Sequence, residues 1–317
     1  MKLSDIIRYK NHIDDLRQDA EYRKSVDSHL DMLSRTVRAE INIRNLYETD
    51  VEHCIGRVHT SLFELEKKLD NIAKDVEILI EQYQPPYFER SYQWYTNEMQ
   101  YETNDYILNR RLIPGKDEDR EILASRIKTW SDWKYPVLCL RPAREDFVDH
   151  LVAGSPLYIV DTAHDLLTPT LERFNEKYRR HIRPYVLGEG TDSIPRMPFL
   201  PNQQFGLVFA YNYFNFRPLE AMKNYFIEIL AKLRPGGIFI FTINNCDNAH
   251  PVALCEQNYC CYTPGRMVIS LAQMLGFEHR YTYDARDQFC WIELAKPGEL
   301  TTLRGGQSLA KIVPKQL

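Results

Sequence analysis

The sequence predicts an α/β fold: a doubly wound, mostly parallel sheet of seven strands, preceded by a long α-helical, coiled-coil region. Three observations lead there. Short apolar runs alternate with amphipathic stretches from Val137 to Leu294. Two of those runs, Gly206 to Ala210 (GLVFA) and Ile238 to Ile243 (IFIFTI), show no polar–apolar alternation, the mark of strands buried on both faces. And Met1 to Gln84 holds no proline and a single glycine, a helical composition.

Taken in order, the first 130 residues are a helical region with an aromatic linker. Val51, Ile55, Val58, Leu62, Leu65, Leu69, Ile72, Val76, Leu79 and Tyr83 recur at alternating steps of four and three, which is a heptad seam. Placing Ile55, Leu62, Leu69 and Val76 at a puts Val51, Val58, Leu65, Ile72 and Leu79 at d. A helix before it carries Leu30, Leu33, Val37 and Ile41 on one face, and Thr49 or Asp50 suits the cap between them. Two arrangements satisfy the seam. Residues 51–83 pair with a second copy of the chain and make a homo-oligomer, or they fold as a hairpin against residues 26–47. Pro85-Pro86 ends the helix. Tyr87 to Tyr106 is then dense in aromatic residues, either a lid that stacks on a planar ligand or a linker that packs onto the next domain. Glu118 to Trp130 reads as one more helix.

Residues 131–299 form the α/β domain. Val137 to Leu140 is a strand, Glu145 to Ala153 a helix, and Leu157 to Val160 a strand ending in Asp161. Leu166 to Tyr178 is helical, and Arg183 to Leu187 is a third strand. The central unit follows. Between GLVFA and IFIFTI, Leu219, Met222, Phe226, Ile229 and Leu233 give a helix with one apolar face. Pro218 suits its start, and Pro235-Gly236-Gly237 stops it. Thr263 to Leu275 is another helix, ended by Gly276. Phe277 to Tyr283 and Phe289 to Leu294 close the sheet as an antiparallel hairpin. Residues 300–317 are a tail without periodicity.

Composition narrows the function classes. Net charge is −4 and the isoelectric point is near 6.2, so general nucleic-acid binding is not indicated. No apolar run approaches the ~20 residues that span a bilayer, and MKLSDIIRYKNHIDD has no secretory h-region. Seven cysteines at irregular spacing fit a reducing, cytoplasmic compartment. Cys246, His250, Cys255, Cys260 and Cys261 lack the paired spacing of a structural zinc site, so no metal is expected and the thiols read as inward-packed small residues.

The linking phrases resemble those of the class I S-adenosylmethionine-dependent methyltransferases. "MPFLPNQQFGLVFA" (Met197 to Ala210) is similar to the stretch before that family's fourth strand. "LAKLRPGGIFIFT" (Leu230 to Thr242) is similar to its Pro-Gly-Gly turn into the fifth strand, and "MVISLAQMLGFE" (Met267 to Glu278) to the helix before the sixth. The phrases "YNYFN", "LRPGG", "NNCDNAH" and "CYTPGRM" also resemble methyltransferase-like proteins encoded by tailed phages, which would allow a place in a virion among other protein subunits. The resemblance covers about half the chain.

The resemblance implies S-adenosylmethionine as cofactor, held by Leu140, Arg141, Asp161, Thr162, Ala210 and Tyr211. Asp161, at the end of the second strand, is the carboxylate that would take both ribose hydroxyls; its other reading is a local cap through Thr162 and Ala163. Ligands in doubly wound sheets sit beyond the carboxyl ends of the strands, which makes Asn212, Tyr213 and Asn244 the acceptor-side residues. His250 is the nearest residue able to act as a base. The chain departs from the family at its first turn. Where a glycine loop lets the cofactor touch bare backbone, this chain reads Leu140-Arg141-Pro142-Ala143-Arg144-Glu145. Three consequences stand open: an altered cofactor pose, an anionic ligand clamped by Arg141 and Arg144, or a catalytically inactive fold used for assembly.

Overall fold

The computed structural model describes residues 2–18, 48–97, 117–140, 146–161, 164–186, 197–285 and 289–298. The chain divides into two compact units, Met1–Pro85 and Pro86–Leu317. The helices after the Pro85-Pro86 pair group with the sheet in the second unit.

In the first unit, helix α1 (residues 3–18) lies beside α2 (Glu48–Tyr83). Arg17 of α1 meets Asp70 of α2 at 2.8 Å. Leu3, Ile6, Ile7 and Ile13 are buried on α1, and Ala73 and Ile80 on α2. In the heptad lettering given above, Ala73 and Ile80 are e positions. Leu69 and Val76 at a are half-buried, whereas Leu65 and Ile72 at d are 50% and 47% exposed. The stripe is therefore a three-in-seven face of the kind used by core-facing bundle helices, turned toward its e side. The side chains of Val51, Ile55, Val58 and Leu62, and the helix expected at residues 26–47, lie outside the described residues.

The second unit is built on strands β1 (Val137–Leu140), β2 (Leu157–Asp161), β3 (Ile182–Val186), β4 (Phe205–Ala210), β5 (Leu233–Ile243), β6 (Glu278–Asp284) and β7 (Cys290–Ala295). They form one seven-stranded sheet in the order β3-β2-β1-β4-β5-β7-β6. The β2–β3, β1–β2, β1–β4 and β4–β5 pairs are parallel, and β7 runs antiparallel between β5 and β6. This is the doubly wound, mostly parallel sheet with a closing hairpin that the sequence predicts. Alternate residues of β1 serve opposite faces, as the pleat requires. Leu138 and Leu140 join one core with Phe226, Ile229, Val268 and Ala272. Val137 and Cys139 join the other with Leu123, Ile127, Phe147 and Leu151.

Helices cover both faces: α3 (Pro85–Asn97), α4 (Asp117–Trp130), a 3-10 helix at Asp146–Ala153, α5 (His164–Glu172), α6 (Glu176–Arg179), α7 (Leu219–Lys232), α8 (Ala249–Glu256) and α9 (Gly265–Met274). Two elements differ from expectation. The single helix expected from Leu166 to Tyr178 is split, because Asn175 caps a new one and its Oδ1 accepts from the Tyr178 N–H at 2.8 Å. And β5 starts at Leu233, so Pro235-Gly236-Gly237 lies inside the strand as a bulge rather than before it. Phe205 pairs with Leu233 but Leu207 with Ile238. Gly236 takes φ +70, and a Cβ on Gly237 would sit 2.7 Å from the Phe205 carbonyl oxygen. The bulge's free edge is paired through Gly236 N–H to Lys296 O and Lys296 N–H to Gly237 O.

Candidate functional site at the carboxyl ends of the strands

Because β1, β2, β4 and β5 are parallel, Leu140, Asp161, Ala210 and Ile243 all end at one edge of the sheet. The strand order reverses between β1 and β4, whose neighbours β2 and β5 lead away on opposite sides. A crevice at such a switch point is where doubly wound sheets place ligands. Leu140 lies opposite Val160, and Asp161 opposite Val186. The Asp161 carboxylate is fully buried. Arg141 and Thr162 lie outside the described residues, as does Arg144.

At the end of β4 the predicted residues part company. Tyr211 turns into the core, its ring 4.9 Å from Phe147 and 6.3 Å from Phe289. Asn212 adopts φ +52, the left-handed conformation that asparagine tolerates better than most residues. Its N–H donates to Thr242 Oγ1 at 2.7 Å. That reversal sends Tyr213 toward α7, where its hydroxyl and that of Tyr225 share a short hydrogen bond. The guanidinium of Arg217 stacks 4.1 Å above the Tyr213 ring and 5.8 Å from that of Tyr95. Arg217 is fully buried, and the ring faces supply part of what water would otherwise give a cation.

The structure brings Asn212 and Asn244 together through a third amide, Asn215. Its Nδ2 donates to Asn244 Oδ1 at 2.9 Å and lies 3.5 Å from Asn212 Oδ1. Asn215 belongs to the same strand-end stretch, Tyr211 to Asn215, that the sequence assigns to the acceptor side, and its three-residue spacing from Asn212 is one that a helical turn closes. The 3-10 turn Phe214–Phe216 supplies that turn. The strand-end loops are tied down from the opposite side. Thr263 Oγ1 donates to Asn244 O at 2.9 Å, and Cys261 N–H to Asn215 O at 3.0 Å. Asn245 Oδ1 accepts from the N–H groups of Gly265 and Asp247, so it caps α9, whose own N-cap is Pro264 and has no side-chain acceptor.

The aromatic segment after Pro86 packs over this loop. Ser91 Oγ accepts from Tyr262 N–H at 2.8 Å and lies 3.7 Å from Cys255 Sγ. Tyr87 donates to Glu256, and Arg90 to Asn258 and to the Glu256 carbonyl. Trp94 and Tyr95 form a small apolar cluster with Phe216, Ala221 and Cys261. The packing arrangement is the one observed for residues 85–97, while residues 98–106 lie outside the described residues.

Burial favours the neutral form of two thiols around the loop, Cys246 and Cys255. Cys246, Cys255, Cys260 and Cys261 are buried and unpaired by disulfides. Burial pushes Cys246 well up, with Cys260 and Cys255 adding to it, and raises Cys255 to about 11. Burial likewise holds the Tyr262 hydroxyl far above its ordinary value. Among the described residues no group of three or more histidine, cysteine or acidic side chains is arranged to hold a metal. His250 sits in the first turn of α8, exposed to solvent, rather than in a loop. No described helix is long and apolar enough to cross a membrane.

No family model matches the chain, and no curated protein matches it. Solved structures do. The N-methyltransferase NodS from Bradyrhizobium japonicum, in complex with S-adenosyl-L-homocysteine, is 15% identical over 57% of this chain and 87% of its own, with a TM-score of 0.44. An S-adenosylmethionine-dependent methyltransferase from Mesorhizobium loti is 12% identical over 55% and 97%, with a TM-score of 0.44. Geranyl diphosphate C-methyltransferase from Streptomyces coelicolor is 10% identical over 56% and 79%, with a TM-score of 0.45.

Proposed function

We propose that the chain is an S-adenosylmethionine-dependent methyltransferase with an atypical cofactor turn. The observation that carries this reading is a carboxylate, Asp161, at the end of β2 and next to the switch point of a sheet ordered β3-β2-β1-β4-β5-β7-β6. The linking phrases quoted above support it. The donor set fits the ribose end of the cofactor: a carboxylate accepts two hydrogen bonds from a cis-diol, and charge-assisted bonds of this kind are the strong ones. Bound there, S-adenosylmethionine supplies an already activated methyl group, so the protein's part is binding, orientation and exclusion of water. Leu140 and Ala210 bound the crevice on either side of the switch point. Arg141 and Thr162 are proposed to contact the cofactor from the turns after β1 and β2. Asn212 and Asn244 form the acceptor side, while Tyr213 is taken up by Tyr225 and Arg217.

A second reading has two observations in its favour. Asp161, Asn212 and Asn244 are all sealed from solvent, and the turn after β1 contains no glycine. Both suit a methyltransferase fold that has lost its chemistry and serves assembly, oligomerising through residues 51–83. A thermal-shift titration separates the two. The enzyme reading expects S-adenosylhomocysteine at millimolar concentration to raise the melting temperature, and expects Asp161→Asn to lose that shift. The scaffold reading expects no shift with either protein. A rise with inorganic phosphate that Arg141→Ala abolishes would instead favour an anionic ligand.

A further inference from the structure

The amides of Asn215 and Asn244 are each 1% exposed, yet each has one polar atom with no hydrogen-bond partner: Oδ1 of Asn215 and Nδ2 of Asn244. A buried polar group left without a partner is destabilising, and a chain that folds around two of them needs a reason. The pair is well fixed. One amide bonds the other at 2.9 Å, Asn215 O accepts from Cys261 N–H, and Asn244 O from Thr263 Oγ1. What remains is one open acceptor from the turn after β4 and one open donor from the end of β5, on two amides bonded to each other at the ligand edge of the sheet.

We infer that Asn215 and Asn244 form a recognition site for a small planar molecule presenting a primary amide edge, whose N–H donates to Asn215 Oδ1 and whose acceptor atom receives Asn244 Nδ2–H. This deepens the methyltransferase reading by naming the acceptor's chemistry, and it rests on that reading for the step that follows binding. An amide edge is singled out because it carries a donor and an acceptor on one face. A carboxylate offers only acceptors and an ammonium only donors, so either would leave one protein atom unmet. Both amides are sealed from solvent, so entry requires movement of the surrounding loops; Cys261, whose N–H holds Asn215 O, belongs to the cluster with Phe216, Trp94 and Tyr95.

The test uses the full chain with benzamide as probe, read by ligand-detected saturation-transfer NMR in the presence and absence of S-adenosylhomocysteine. Benzamide is expected to bind, and N,N-dimethylbenzamide, which lacks the donor, is not. Asn244→Asp keeps the oxygen that Asn215 Nδ2 needs and replaces the open donor with an acceptor, so it should weaken benzamide about tenfold, the worth of one hydrogen bond. Failure of benzamide to bind, equal binding of the dimethyl compound, or equal binding to Asn244→Asp each overturns the site and leaves a trapped water as the amides' partner. The comparison of the two probes needs no variant, so it stands even if Asn244→Asp does not fold. Benzamide binding without any effect or binding of S-adenosylhomocysteine would keep the amide site and remove the methyltransferase reading.

Discussion

Glu293 shows at the scale of a single residue how this domain tolerates buried charge. Its carboxylate is fully buried in a strand that the sequence reads as apolar. Arg126 donates to it from Nε at 2.8 Å and from Nη2 at 2.5 Å, and the indoles of Trp130 and Trp291 donate at 2.7 and 3.0 Å. The Arg126 guanidinium also lies 4.1 Å over the Tyr281 ring. Removing the cation leaves a sealed anion, so Arg126→Met should cost about 3–5 kcal/mol, measured as the loss in urea-unfolding free energy. The thiols make a second residue-scale prediction. Burial raises Cys255 to about 11 from an ordinary value of 9.0. A raised acid favours its neutral form, so that contribution is whole below pH ~9 and is lost as pH rises through ~11, on the order of 2 kcal/mol. Stability measured from pH 8 to 11 should therefore fall, and Cys255→Ala should flatten part of that slope. At this scale the sequence was a partial guide. The place of Asp161 at the end of β2 was legible because a strand end is a local feature. The Asn215–Asn244 contact and the Glu293–Arg126 ion pair were not, since the partners lie 29 and 167 residues apart.

Among the elements, the strands were read to within a few residues because their apolar runs are continuous and buried on both faces. The exception is instructive. Pro235-Gly236-Gly237 has the chemistry of a helix stop, and α7 does end at Lys232. Yet the chain is already paired with β4 at Leu233. Sequence cannot see this, because the pairing is set by Phe205 across the sheet rather than by the glycines. The bulge makes a sharp demand: a Cβ at Gly237 meets Phe205 O at 2.7 Å and Arg234 O at 2.9 Å, both backbone atoms. Gly237→Ala should destabilise by roughly 1–3 kcal/mol, checked by thermal or urea unfolding, whereas an alanine at an open surface turn would change little. Helix α3 carries the other lesson. Its aromatic residues resemble a ligand lid in composition, but Ser91, Trp94 and Tyr95 are spent on Cys255, Tyr262, Phe216 and Cys261.

For the whole molecule, the grouping of residues 86–317 into one unit decides where the chain can be cut. A truncation at Trp130 would strip Ser91, Trp94 and Tyr95 from the loop over β4 and β5. One at Pro86 keeps them, and that shorter chain should unfold cooperatively. Light scattering on both lengths then tests the α2 seam. With Leu65 and Ile72 half exposed, we expect the full chain to be larger than a monomer and the 86–317 chain to be monomeric; two monomers would assign the stripe to the chain's own residues 26–47. The central claim, that the β1–β4 switch point binds S-adenosylmethionine through Asp161, is tested most directly by isothermal titration with S-adenosylhomocysteine. The account expects saturable heat with the full chain and at least a tenfold loss of affinity in Asp161→Ala, the worth of a hydrogen bond to a charged group. No heat at high micromolar concentration with folded protein, or equal affinity in Asp161→Ala, would contradict it.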